Sequence, residues 1–94
     1  MHQQYTLNEY LEPALDNYLI HGIQPGSFMT AVLCNDLHGA INRADSGNLI
    51  NFALVCNEII HRCPPDAFGS EQHVRDWIHD VDRRRSEYAN GLMI

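Results

Sequence analysis

The six histidines and three cysteines have the widest range of chemistry in this 94-residue chain. Cys34 and His38 are four residues apart, a spacing that places two side chains on one face of a helix. Such a pair could contribute to a zinc site or act as nucleophile and base. A zinc site needs three or four converging ligands, and the usual Cys and His spacings are missing. We therefore expect no metal site and no cofactor.

The sequence also argues against an enzyme. Cys34 and Cys56 stand among apolar residues, whereas a reactive thiol needs electropositive surroundings that lower its pKa. No glycine-rich phosphate loop opens a helix. Paired carboxylates such as Asp76 and Asp80 are more typical of a solvated helix face than of acid–base catalysis. We expect no catalytic residue.

The polar face of the second predicted helix is the strongest candidate for binding another protein. It combines donors and acceptors with an arginine, a residue type enriched at interfaces. The last predicted helix adds two carboxylates and an arginine. The candidate partner-binding residues are Asn35, Asp36, His38, Asn42, Arg43, Asp76, Asp80 and Arg84. The alternative is that this face is internal, with Asp36 and Arg43 paired to neighbouring elements and Asp45 serving only as an N-cap.

The elements that must position these residues are helices. Apolar residues recur at helical spacing, and no stretch alternates as a half-buried strand does. Gly22 is a natural left-handed helix stop, and Asp45 and Ser70 are good N-caps. The pattern predicts an all-α, compact single-domain bundle of about four helices. The predicted spans are 12–21, 27–44, 46–62 and 70–86, with a tail at 88–94, all within one domain at 1–94.

These spans carry further expectations about the side chains. Leu15, Tyr18 and Trp77 should close a core built by the second and third helices. Glu58 should lie on the outer side of the third helix, and Asp80 and Arg84 should form an ion pair along the fourth. Apolar residues off the main stripes could instead contact a second copy of the chain. They are Ile50, Leu54 and the terminal Leu92, Met93 and Ile94.

Twelve acidic and six basic residues give a formal charge of −6, and all six basic residues are arginine. Phosphate neutralisation supplies most of the affinity of general nucleic-acid binders, so we do not expect nucleic acid as the partner. The triplet Arg83-Arg84-Arg85 keeps a small DNA-binding regulator open as an alternative. No apolar run is long enough to span a bilayer, and the N-terminus does not resemble a signal peptide. We expect a cytoplasmic protein that does not enter membranes.

The run from Gly22 to Leu37, GIQPGSFMTAVLCNDL, resembles small phage and prophage proteins with a GIxPGxFLxAVLxNDL stretch. Those proteins continue with Arg-Ala-Asp, WGS and a closing helix that contains tryptophan. The matching residues here are 43–45, 68–70 and Trp77, with Phe68 in place of the tryptophan of WGS. The resemblance implies a phage origin but no activity. By analogy with anti-CRISPR proteins, we expect a non-enzymatic inhibitor that binds a host protein or defence complex in the host cytoplasm. A structural homo-oligomer is a further alternative.

Overall fold

The computed structural model describes residues 6–92, which form seven α-helices and no strand. The all-α prediction is confirmed, whereas the count of about four helices is wrong because three predicted helices are broken. The helices are α1 (Leu11–His21), α2 (Ser27–Leu33), α3 (Leu37–Arg43), α4 (Ser46–Ile50), α5 (Phe52–Arg62), α6 (Glu71–Ile78) and α7 (Arg84–Leu92). Short 3₁₀ helices lie at Pro65–Ala67 and Val81–Arg83. None of these helices is long and apolar enough to cross a membrane.

Local hydrogen bonds mark both ends of helix α1. The side chain of Asn8 accepts hydrogen bonds from the backbone N–H groups of Tyr10 and Leu11, at 2.9 and 2.8 Å. At the other end Gly22 adopts φ 68°, and its N–H donates to the carbonyl of Tyr18 at 3.0 Å. This left-handed stop agrees with the sequence prediction, because glycine adopts positive φ without steric cost.

The predicted helix 27–44 is broken between α2 and α3. Asn35 adopts φ 62°, and the N–H groups of Asn35 and Asp36 donate to the carbonyls of Val32 and Ala31. This is the bonding pattern of a Schellman C-cap. The Asp36 carboxylate then caps α3 by accepting from the N–H of Gly39 at 3.0 Å. Asn35 and Asp36 therefore end one helix and start the next.

The predicted helix 46–62 is broken at Asn51, where ψ is 25° instead of a helical value. Asp45 caps α4 as predicted, accepting from the N–H of Asn48 at 2.7 Å. Leu49, just before the break, is 51% exposed. The end of α5 before Cys63-Pro64 agrees with the prediction, because the residue before proline avoids the helical region.

The predicted helix 70–86 and tail 88–94 are also wrong. Ser70 caps α6 as expected, but Asp80, Asp82 and Arg83 all adopt positive φ and end that helix. The chain then turns into α7, which extends to Leu92 and so includes most of the predicted tail. Met93 and Ile94 lie outside the described residues.

The core lies where α1, α2, α5 and α6 meet. Leu15, Tyr18, Leu33 and Ile59 are fully buried, and Trp77 is 2% exposed, so the predicted roles of Leu15, Tyr18 and Trp77 are confirmed. Tyr18 donates its hydroxyl to the carbonyl of Ala67 at 2.6 Å. Trp77 donates its indole N–H to the carbonyl of Tyr18 at 3.2 Å. Both polar tips are thus satisfied inside an apolar core.

Glu58 corrects the sequence prediction for α5. It was expected on the outer side, but it is 2% exposed. Its carboxylate accepts a hydrogen bond from Arg62 Nε at 2.6 Å, and Arg62 Nη1 donates to Glu12 of α1 at 2.7 Å. Arg62 therefore links α5 to α1 and places a positive charge beside the buried carboxylate.

Candidate protein-binding groove

An open groove of about 620 Å³ is bounded by α2, α3 and α6. Residues of the turn Gln24–Ser27 also line it, and Thr30 donates its hydroxyl to the carbonyl of Pro25 at 3.0 Å. We call this cavity the central groove. Its lining residues are Gln24, Pro25, Ser27, Thr30, Ala31, Cys34, Asp36, Arg43, Glu71, Val74, Arg75 and Ile78.

The floor of the central groove is apolar. Ala31 and Val74 are buried, and Cys34 and Ile78 are half-buried beside them. These side chains belong to α6 and the end of α2, which pack against each other in the fold. An apolar floor surrounded by polar side chains is the usual composition of a protein-binding surface.

Each long wall of the central groove carries one cation and one anion. On the α6 wall, Arg75 donates to Glu71 at 2.9 Å, and both side chains are exposed. On the α3 wall, the Asp36 carboxylate serves as the helix cap. Arg43 is exposed and has no ion pair or side-chain hydrogen bond within the described residues. Its guanidinium is therefore available to an acceptor outside this part of the chain.

Arg43 lies between two cavities. It lines the central groove, and it also lines a cleft of about 280 Å³ between α1, α2 and α4. Gly39 allows the Arg43 side chain to take this position, because a Cβ at residue 39 would overlap both the Asp36 carboxylate and Arg43 Nη1. The glycine thus lets the capping carboxylate and the guanidinium lie close to the α3 backbone.

The thiol of Cys34, which lines this groove, has a raised pKa. Burial raises the pKa of its thiol, and the negative charges of Glu71 and Asp36 act in the same direction. Arg75 opposes them with a smaller effect. Burial also raises the thiol pKa of Cys56 and Cys63. The thiols therefore stay protonated near neutral pH, the opposite of an activated cysteine.

The structure brings only part of the predicted partner-binding set together. Asp36 and Arg43 line the central groove, whereas His38 and Asn42 are exposed on α3 away from its lining. Asn35 faces a smaller groove of about 110 Å³ between α3 and α5. Cys34 and His38 do not share one helix, since the two residues lie on either side of the break at Asn35.

The predicted residues of the last helix have other contacts. Asp76 accepts a hydrogen bond from Gln72 at 2.8 Å. Asp80 accepts from the backbone N–H of Ser86 at 3.0 Å and also from its hydroxyl, which together lower the pKa of Asp80. The predicted Asp80–Arg84 ion pair is wrong, because Arg84 donates to Asp66 at 2.5 Å instead. None of the three predicted residues lines the central groove.

The α6 wall was not among the predicted partner-binding residues. Glu71 and Arg75 are spaced i, i+4, and Val74 and Ile78 share the same spacing on an adjoining stripe. These two spacings predict a row of charged side chains beside a row of apolar side chains on one helix. No three His, Cys, Asp or Glu side chains within residues 6–92 are arranged to hold a metal ion.

Comparison with known proteins provides no family for this chain. Neither a family model, nor a curated protein sequence, nor a solved structure matched it.

Proposed function

We propose that this protein acts without catalysis, by binding a partner protein in the central groove. The observation that carries the proposal is Arg43, an exposed guanidinium without an acceptor among residues 6–92, beside the apolar floor of Ala31, Val74 and Ile78. Arginine beside a desolvated apolar patch is a frequent arrangement at binding hot spots. The partner should insert apolar side chains onto the floor and place a carboxylate or carbonyl against Arg43.

We further propose that the partner is a host protein or defence complex and that binding inhibits it in the host cytoplasm. The resemblance of residues 22–37 to phage proteins supports this choice of partner. An anti-CRISPR role is the most specific form of the proposal. It requires stoichiometric binding of the partner.

The contacts of Arg83, Arg84 and Arg85 support the alternative, a DNA-binding regulator, less than the groove supports a protein partner. Arg84 is paired with Asp66, and Arg85 donates to the backbone carbonyls of Ile20, Trp77 and Ile78. Phosphate contacts need exposed cations that can exchange their counterions. Two of the three arginines already have intramolecular acceptors.

Affinity capture from a nuclease-treated bacterial lysate tests the proposal. The full chain should retain a stoichiometric protein, and Arg43→Glu should lose it. Arg83→Glu is the matched control, because Arg83 is exposed and lies outside the groove. If the unaltered, Arg43→Glu and Arg83→Glu proteins all retained the same protein equally, that result would contradict partner binding in the central groove. Recovery of DNA alone from an untreated lysate would favour the regulator.

A further inference from the structure

A charge-free segment lies at the surface of this acidic protein. Residues 46–57 contain no Asp, Glu, Arg, Lys or His, although the chain carries a formal charge of −6. Residues 22–35 are also free of charge, but they include α2, of which five of seven residues are buried. The segment 46–57 thus differs from residues 22–35, because its uncharged side chains are largely exposed.

The exposed side chains of this segment are apolar. Ile50 is 82% exposed, Leu49 is 51% exposed and Leu54 is 50% exposed, with Ala53 also exposed. Asn48 and Val55 are buried and hold α4 and α5 against the body. We call Leu49, Ile50, Ala53 and Leu54 the uncharged face. Large apolar side chains grouped at a surface usually mark a contact site.

Symmetry and charge favour a second copy of this chain as the partner that covers the uncharged face. In a two-fold interface, residues near the axis face their own copies, so any charge there would oppose a like charge. Two copies that each carry −6 also repel each other, and a face without charge reduces this repulsion at the contact. A basic partner would instead be recognised through acidic side chains, which this face lacks.

We propose that the uncharged face is the two-fold interface of a homodimer. A standard interface buries about 800 Å² per partner, roughly an eighth of the 6009 Å² surface of one chain. No residue of α4 or α5 lines the central groove, so the dimer keeps two grooves. This inference is independent of the proposed function, because it uses none of the groove residues.

Sedimentation equilibrium of the full chain under reducing conditions tests the dimer. The mass should rise from 10.7 kDa towards twice that value as concentration increases. Ile50→Glu and Leu54→Glu should each raise the dimer dissociation constant at least tenfold. Ile23→Glu is the matched control, because Ile23 is 55% exposed and lies outside the uncharged face. Circular dichroism should show unchanged helix content in all variants.

Two results would overturn this inference. A chain that stays monomeric up to millimolar concentration does not self-associate through the uncharged face. A dimer that resists both glutamate substitutions uses another surface. In the monomeric case, the Ile50→Glu protein could also fail to capture a lysate protein that the unaltered chain captures. That outcome would assign the uncharged face to the lysate protein. Arg43→Glu should still dimerise, which separates failure of the dimer from failure of the groove.

Discussion

The Arg85 guanidinium donates from Nε to the backbone carbonyl of Trp77 at 3.0 Å and joins the ends of two helices. Its other nitrogens donate to the carbonyls of Ile20 in α1 and Ile78 in α6, at 3.3 and 3.4 Å. A Cβ at Gly22 would meet this guanidinium, so glycine also makes room for it. A cation at the carbonyl end of a helix is favourable, and Arg85 serves two such ends.

Replacement of Arg85 by alanine should therefore destabilise the fold. Three carbonyls would lose a charged donor, and we expect the free energy of unfolding to fall by about 2 kcal/mol. Arg83→Ala should change it by less than about 0.5 kcal/mol, as for an exposed surface residue. Urea unfolding of both variants measures the difference. Equal effects would show that the carbonyl contacts of Arg85 do not stabilise the fold.

Loss of Arg62 should be more damaging than loss of Arg75, although both pair with a glutamate four residues earlier. The Glu58 side chain is 3% exposed, whereas that of Glu71 is 74% exposed. Removing a cation that pairs with a buried carboxylate costs about 3 kcal/mol, whereas an exposed pair contributes less than about 1 kcal/mol. Thermal unfolding of Arg62→Ala and Arg75→Ala should show this order. The reverse order would contradict the role assigned to Arg62.

Alkaline pH should destabilise the protein through Cys63. Its thiol donates to the carbonyl of Ile59 at 3.1 Å, and burial raises its pKa from 9.0 to about 12. The unfolded thiol loses its proton near pH 9 while the folded thiol keeps it. Stability is therefore fully present below pH 9 and is lost between pH 9 and 12.

The expected loss from Cys63 is up to about 1.4 kcal/mol per pH unit. Urea midpoints measured at increasing pH should fall less steeply for Cys63→Ala than for the unaltered chain. Burial also raises the pKa of Tyr18, Cys34 and Cys56, so a smaller slope remains in the variant. Identical slopes would mean that Cys63 does not contribute.

The sequence predicts the caps and the core of this fold better than its helix lengths. Gly22, Asp45, Ser70 and Pro64 each act locally, so their residue types are sufficient to indicate a boundary. The fully buried Leu15 and Tyr18 follow from helical periodicity, which depends on one face being apolar. These features need no knowledge of the neighbouring elements.

The breaks could not be predicted in the same way. Asn35 and Asp80 enter the left-handed region, which Asn and Asp tolerate without requiring it. The buried position of Glu58 depends on Arg62 and on Glu12, which lies 46 residues earlier in the chain. The central groove joins Arg43 to α6 through tertiary packing, so the sequence predicted only the α3 side of it.

Gly39 provides a way to alter the groove without unfolding the chain. In Gly39→Ala, better helix propensity contributes about 1 kcal/mol. Disturbing the Asp36 cap costs about the same, so the melting temperature should stay close to that of the unaltered chain. The added Cβ displaces Arg43 Nη1, and capture of the partner should weaken. Full capture by a folded Gly39→Ala protein would contradict the assigned position of Arg43.

The most direct test of the account is the affinity of the captured partner for charge-reversed chains. Calorimetry with the purified partner should show that Arg43→Glu weakens binding by about 30-fold or more, the loss expected at a hot spot. Arg83→Glu, which changes the charge equally outside the groove, should stay within about threefold of the unaltered chain. Equal affinity of the Arg43→Glu and Arg83→Glu proteins would contradict the claim that the central groove binds the partner.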